Sequence, residues 1–351
     1  LVKFFFPFTK GCFIYKIYFK NFVKGRCVFN STWKQIVNCK GEAKMRLLTR
    51  ADFDGLACAV LLKEVGIVDR YKFVHPKDVQ DGKVEVNEED VLANVPFVPG
   101  CGLWFDHHSS EWERLKLYVK FKYKGKSEKA PSCARVIFNY YGGEKKFSRF
   151  VKSGLLDAVD KSDSAQLSRE DILNPTGWIL LSFIMDPRTG LGRFRDYRIS
   201  NYQLMEILID YCRDPSIEDI LQFPDVKERV NRYFQQEKEY EKMIMEKSTV
   251  YGNILVINLL DVNPILTGNR FKEYVLFPGI NISIRIIWGY KKQNIVFTCG
   301  HSILNRTSKI DVGSLMLKYR GGGHRTVGTC QIPIHQWEQV RDELVAAMIE
   351  D

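Results

Sequence analysis

Short apolar runs that end abruptly in carboxylates and imidazoles set the strongest limit on how this chain can fold. Met45-Arg46-Leu47-Leu48-Thr49 leads within a few residues into Asp52-Phe53-Asp54-Gly55, and Gly102-Leu103-Trp104-Phe105 runs directly into Asp106-His107-His108. Runs of this kind read as buried strands. Polar groups that follow two such strands can converge only if the strands lie parallel, with their carboxyl ends at one edge, which is how a doubly wound sheet collects ligands. Nearer the C-terminus, Tyr319-Arg320-Gly321-Gly322-Gly323-His324-Arg325 places three glycines ahead of a histidine. Such a run lets backbone N–H groups approach an anion without side-chain obstruction.

The pattern between these points alternates strands with helices. Met45–Thr49 is expected to be a strand, followed by a helix over residues 56–65 that stops at Gly66, strands over 70–75, 91–97 and 103–105, and a polar loop over 76–90. Residues 132–141 and 147–159 have helical spacing, the second leading into Asp157, Asp160 and Asp163. Residues 202–246 are helical and heavily charged, interrupted at Pro215 and Pro224, as in a connector between domains. Strands return at 254–260, 280–288 and 295–299, then a helix over 312–319, the glycine run, a strand over 328–332 and a last helix over 336–349. The expected architecture is α/β: a doubly wound, mostly parallel sheet over 45–200, a helical connector over 201–248, and a smaller α/β domain over 249–351 facing the first across a cleft.

Composition narrows the class. The chain has 351 residues, 45% of them hydrophobic, enough for two moderate cores. No apolar run approaches the ~20 residues of a spanning helix. Nine scattered cysteines include no C-x-x-C pair, so neither a disulfide framework nor a zinc ribbon is expected, and a reducing cytoplasm is. The net charge is +10, but residues 1–44 carry nine basic residues against one acid, Glu42. The body is therefore close to neutral, and any anion site in it must be a local cluster. Residues 1–44 are also rich in aromatics without a helical or strand period, and the first methionine is Met45. Two readings compete there: an extension outside the fold, which we favour, or a basic aromatic segment that touches a membrane surface or nucleic acid.

The Asp-x-Asp-Gly, Asp-His-His and Gly-Gly-Gly-His elements, in this order, resemble the DHH phosphoesterase family with its DHH-associated C-terminal domain, from about Met45 to the C-terminus. The family includes single-strand exonucleases, oligoribonucleases, phosphatases of adenosine bisphosphate, cyclic-dinucleotide phosphodiesterases and exopolyphosphatases. The resemblance implies manganese or a similar divalent ion, one or two per site, with Asp52 and Asp54 serving different metals and His107 a ligand. It implies that His108 contacts the substrate phosphate or helps proton transfer, that Asp106 orients the imidazoles, and that a later aspartate, Asp160 or Asp163, completes the set. Two positions depart from the family pattern. Arg50 and Leu48 stand where a histidine is usual, and Asn94 is the best match to a bridging carboxylate, with Asp78, Asp81 and Asp90 weaker substitutes in the polar loop. An amide oxygen is a poor bridge between two cations. The first metal position is thus expected to be impaired, the second to persist, and Arg50 to stand in as a fixed cation on a phosphate oxygen.

In the C-terminal part, Gly321, Gly322, Gly323 and His324 are expected to meet a phosphate or terminal nucleotide, with Arg325 and Arg306 beside them; Arg320, Asn305, Asn269 and Arg270 are further candidates. Arg188, Arg193, Arg195 and Arg198 lie on a basic loop that suits a cleft lining and a solvated connector equally; His75, His301 and His335 read as structural. No G-x-S-x-G elbow and no P-loop is present. The expected activity is hydrolysis of phosphodiester or phosphoanhydride bonds in short oligonucleotides or nucleoside phosphates by a metal-bound hydroxide, since a near-neutral body lacks a long basic track. An exopolyphosphatase and a non-catalytic nucleotide- or polyphosphate-binding protein are the alternatives, and a homodimer is among the expected assemblies.

Overall fold

The structure, a computed structural model, describes residues 21–23, 26–28, 44–116, 122–214 and 216–349. The chain divides into two compact units, Leu1–Ala43 and Lys44–Asp351. In the first, strands β1 (Asn21–Val23) and β2 (Arg26–Val28) form an antiparallel pair. The other expectations for residues 1–44 lie outside the described residues.

The second unit opens with β3 (Met45–Thr49), followed by β4 (Val68–Phe73), β5 (Asp90–Ala93), β6 (Leu103–Asp106) and β7 (Gly125–Ser127), all parallel, in the order β4-β3-β5-β6-β7. Alternate side chains go to opposite faces, as strand geometry requires. Leu47, Val91 and Phe105 join one core, while Leu48, Leu92 and Trp104 join another on the far side. The chain leaves β3 toward β4 on one side and returns to β5 on the other, so the topological switch lies between β3 and β5, beside the segments that carry Asp52 and Asn94.

Helix Phe53–Glu64 starts immediately after β3 and buries ten residues, so it lies between the sheet and other helices. Asp52 is its N-cap, accepting from the Gly55 N–H at 2.9 Å. Gly55 permits this tight entry: a Cβ there would sit 1.9 Å from the Arg50 carbonyl oxygen.

Several local expectations are corrected. The 91–97 strand begins at Asp90 and stops at Ala93, because Asn94 takes a left-handed conformation (φ 57°) and turns the chain. Asp90 itself is buried in the sheet rather than loose in a polar loop, held by Arg46 at 2.7 and 2.9 Å, and that loop contains the short helix Pro76–Gln80. The single helix expected over 147–159 is two, Glu144–Lys152 and Leu155–Asp163, separated at Gly154 (φ 77°).

The second sheet comprises β8 (Ser248–Tyr251), β9 (Ile254–Asn258), β10 (Ile282–Trp288), β11 (Ile295–His301), β12 (Gly322–His324) and β13 (Val327–Ile332), in the order β12-β13-β11-β10-β9-β8. Only β9 and β10 pair in parallel; the other neighbours are antiparallel. One face packs under helices Val312–Leu317 and Trp337–Ile349, with Ile284, Phe297, Met316 and Leu344 in its core. Leu255 and Ile257 face the other way, into the same large core as helix Phe53–Glu64. Between the sheets, helices Asn201–Tyr211, Ile217–Gln222, Pro224–Gln235 and Glu237–Glu246 add Leu204, Leu208, Val226, Tyr240 and Ile244 to that core. Asp210 pairs with Lys63 at 2.5 Å and Arg213 with Glu64 at 3.0 Å, so the end of helix Asn201–Tyr211 is fastened to the end of helix Phe53–Glu64. No helix among the described residues is long and apolar enough to cross a membrane.

Candidate metal centre and active site

Asp54, on the first turn of helix Phe53–Glu64, is buried, and its carboxylate faces the start of helix Cys133–Tyr140. It accepts from the backbone N–H groups of Cys133 (2.9 Å) and Ala134 (2.8 Å), the positive end of that helix. Burial and the neighbouring Asp52 charge outweigh these bonds and push its pKa up to about 7. His107 follows β6 and comes within 4.0 Å of Asp54 and 3.2 Å of Asp163 through its Nε2. Asp163 closes helix Leu155–Asp163, the end at which the helix dipole opposes an anion. Its pKa is also raised to about 7, by withdrawal from water and then by Asp54.

These three groups offer ligand atoms that all lie within 4.8 Å of one another. The His107 ring supplies the test of whether a metal fits. Its Nδ1 is 3.1 Å from the Ala130 carbonyl oxygen, which can only accept, so the proton resides on Nδ1. Nε2 is buried without a hydrogen-bond partner. A lone pair facing two carboxylates that themselves resist ionisation is the donor set a divalent cation satisfies, with mixed nitrogen and oxygen ligands.

Asp52 has a different environment. One oxygen accepts from Gly55 N–H and from the Asn94 side-chain amide (3.2 Å), and the other meets Arg50 Nε at 3.0 Å. Because a carboxylate can only accept here, it is the Asn94 nitrogen that faces Asp52, and the amide oxygen is not presented as a bridging ligand. Of the two later aspartates, Asp160 is engaged by Arg135 (2.7 and 2.6 Å) and by the Ser132 hydroxyl (2.6 Å); it is Asp163 that meets His107.

Asp106 is fully buried and accepts from the backbone N–H and Nδ1 of His108, at 3.1 and 2.9 Å. It therefore orients His108 alone, not both imidazoles, since His107 is held by Ala130. Burial favours neutral His108, but the Asp106 hydrogen bond and the carboxylates of Asp106, Asp163 and Asp54 push its pKa up to about 9. His324, at the end of β12, stacks on His108 with ring centroids 5.7 Å apart and planes 20° off parallel. Burial and then the charges of His108 and His107 lower its pKa.

The glycine run is not a loop of free N–H groups. Gly322, Gly323 and His324 pair with β13, and a Cβ on Gly321 or Gly323 would lie 2.2 Å from the carbonyl oxygen of Thr329 or Val327. The glycines are required by backbone packing, and the histidine is what the run delivers. Arg306 donates to the carbonyls of Ile303 (2.9 Å) and Ala165 (2.7 Å), bridging the second sheet's loop to the turn after Asp163. Asn305 is spent on the Ile280 carbonyl, and Arg325 is exposed.

A small cavity of about 40 Å³ adjoins the cluster, lined among others by Asp52, Asp54, Asp163, Asp186, Arg188 and Arg270. Asp186 holds Arg188 in a two-pronged pair (2.7 and 2.8 Å) and stands 3.6 Å from Arg270 Nε, which is buried without a hydrogen-bond partner. Burial would raise the Asp186 pKa; the Arg188 and Arg270 charges overcome it and hold it down at about 2. Of the loop arginines, Arg193 and Arg198 are turned to the Ile265 carbonyl and Asp225, so Arg188 alone of the four lines this cavity. Nothing in local sequence separated Arg188 from its neighbours or singled out Asp186. Of the remaining histidines, His75 caps a helix through Nδ1 and His301 meets the Ile310 carbonyl.

No family model matches the sequence, and no curated protein matches it. Among solved structures, the pGpG-specific phosphodiesterase PggH from Vibrio cholerae is similar at 47% sequence identity and a TM-score of 0.73, over 88% of this chain and 100% of that one. RecJ from Thermus thermophilus, in complex with Mn2+, matches at 11% identity and a TM-score of 0.50, over 88% of this chain and 52% of that one, a likeness of fold alone.

Proposed function

The chain belongs to the DHH phosphoesterase family, and on that premise we propose that it is a single-metal phosphodiesterase acting on short linear oligonucleotides, guanine dinucleotides first among them. The observation that carries this reading is the convergence of Asp54, Asp163 and the unpartnered Nε2 of His107. The 47% identical relative is named for its action on pGpG, and the near-neutral body suits a short substrate better than polyphosphate.

A divalent ion held by Asp54, His107 and Asp163, manganese in our proposal, would polarise a phosphate oxygen and acidify a bound water. The rest of the work falls to the protein's own side chains. His108, held through Nδ1 by Asp106, donates through Nε2 to a phosphate oxygen or to the leaving oxygen, and Asp106 is its positioning residue. His324, stacked on His108, carries the second sheet's contact to the same phosphate. Arg188 and Arg270 receive a non-bridging oxygen in the adjoining cavity. With both Asp52 oxygens engaged, Arg50 supplies a fixed positive charge where a second ion would otherwise bind. We further propose that residues 45–200 form the metal-binding domain, 249–351 the substrate-binding domain, and 201–248 the helices that join them.

The test is phosphate or mononucleotide release from pGpG, other linear dinucleotides, cyclic dinucleotides, adenosine bisphosphate and polyphosphate, with manganese, magnesium or chelator. Turnover of linear dinucleotides is expected with metal, and its loss in His107→Ala. Turnover confined to polyphosphate would replace the proposal with the exopolyphosphatase reading, and metal-independent turnover surviving His107→Ala would remove the metal cluster from the mechanism.

A further inference from the structure

A second cavity, about 220 Å³, shares Asp186 with the walls of the first. Its lining is mostly apolar, with Phe73, Met185, Leu191, Tyr202 and Met205 prominent. Ala51, which joins Arg50 to the helix-capping Asp52, also lines it, so one wall of the pocket is continuous with the segment that carries Arg50 and Asp52.

We propose that this pocket receives a purine base of the substrate, whose phosphate then reaches the metal cluster. The inference rests on the phosphodiesterase reading and names the group that the reading leaves unplaced. Three observations favour a base over a lipid chain or an apolar side chain. First, the Phe73 and Tyr202 rings meet edge to face, centroids 5.4 Å apart and planes at 81°, a rigid aromatic wall suited to a flat heterocycle. Second, the Asn201 amide has a fixed orientation: its Oδ1 accepts from buried Arg229 at 2.8 Å, so Nδ2 faces away from Arg229 and has no partner among the described residues. Nδ2 lies beside Gly192, another lining residue, 3.2 Å from where a Cβ would stand. One directed donor in an apolar pocket selects an acceptor on a ring edge, such as O6 or N7 of guanine. Third, the adjoining cavity offers two guanidinium groups beside the proposed metal ligands, so an occupant of both spaces must join an apolar plate to an anion. A nucleotide has that composition.

Steady-state kinetics of two wall variants separate this pocket from the chemistry. Ala51→Leu adds bulk from an exposed position, and Tyr202→Ala removes half of the aromatic wall at a residue 43% exposed. Each is assayed with manganese on pGpG and on bis(p-nitrophenyl) phosphate, which has no base, with melting temperature as a folding control. KM for pGpG is expected to rise about tenfold or more in each variant, with kcat/KM on the base-free diester unchanged. An unchanged KM for pGpG in either folded variant, or equal losses on both substrates, overturns the base pocket and leaves the phosphodiesterase reading standing. Absence of turnover of both substrates by the unaltered protein sinks that reading and the pocket with it.

Discussion

Asp52 and Asp54 are two positions apart at one strand end, yet their chemistry differs because their partners do. Asp54 has backbone N–H bonds and no lysine or arginine partner among the described residues, while Asp52 has a helix N–H, an amide and a guanidinium. Restoring a carboxylate at position 94 is therefore not enough by itself to build a second metal site. Asn94→Asp is expected to leave one bound manganese per chain, whereas Arg50→His with Asn94→Asp raises the count toward two, as read by metal analysis of the purified protein. Two ions in the unaltered protein would show that Arg50 moves aside. Asp186 gives a pH-dependent counterpart. Its folded pKa, about 2, lies below the usual carboxylate value, so its stabilising contribution is fully present above about pH 4 and disappears as pH falls through 2. Asp186→Asn is expected to cost about 1–2 kcal/mol at pH 7, discounted for the half-exposed Arg188 partner, and distinctly less at pH 3, in denaturant melts at the two pH values. An equal cost at both would assign the effect to packing.

At the scale of elements, the join between β3 and its helix decides whether Asp52 and Asp54, the latter a proposed ligand, reach the sheet edge. Gly55 is the point of closest approach, with no room for a Cβ against the Arg50 carbonyl. Gly55→Ala is expected to destabilise the protein by about 1–3 kcal/mol and to weaken manganese binding, because the helix must shift and carry Asp54 with it; calorimetry checks both. Unaltered metal affinity in a destabilised variant would mean that Asp54 is placed by the helix Cys133–Tyr140 instead. The strands at 45–49 and 103–105 and the helix after Asp52 were legible in the sequence, since apolar period is local, whereas the short edge strand Gly125–Ser127 was not. The break at Gly154 was not, because a left-handed glycine is isosteric with a helical one until tertiary packing chooses. Asp90 looked like loop charge because its partner, Arg46, is remote in sequence, on the neighbouring strand.

For the whole molecule, the two sheets share one core, and the site draws on both: Asp54, His107 and Asp163 from the first part, His324 and Arg270 from the second. Arg306 ties them through the Ala165 carbonyl, so its position is that of a clamp. Arg306→Ala is expected to lower kcat/KM on a dinucleotide about tenfold through misplacement while manganese binding is retained, and a comparable loss of metal binding would show that the clamp shapes the first part as well. The sequence by itself determined the parallel sheet and the residues that gather at its carboxyl edge, because strand period, helix caps and motif order are properties of neighbouring residues. Only the tertiary structure decided that Asp163 rather than Asp160 meets His107, that Asp52 is paired with Arg50 and Asn94, and that Arg188 and Arg270 flank the cavity. Whether a carboxylate is a ligand or half of an ion pair depends on what fills its lone pairs, and those partners come from segments distant in the chain.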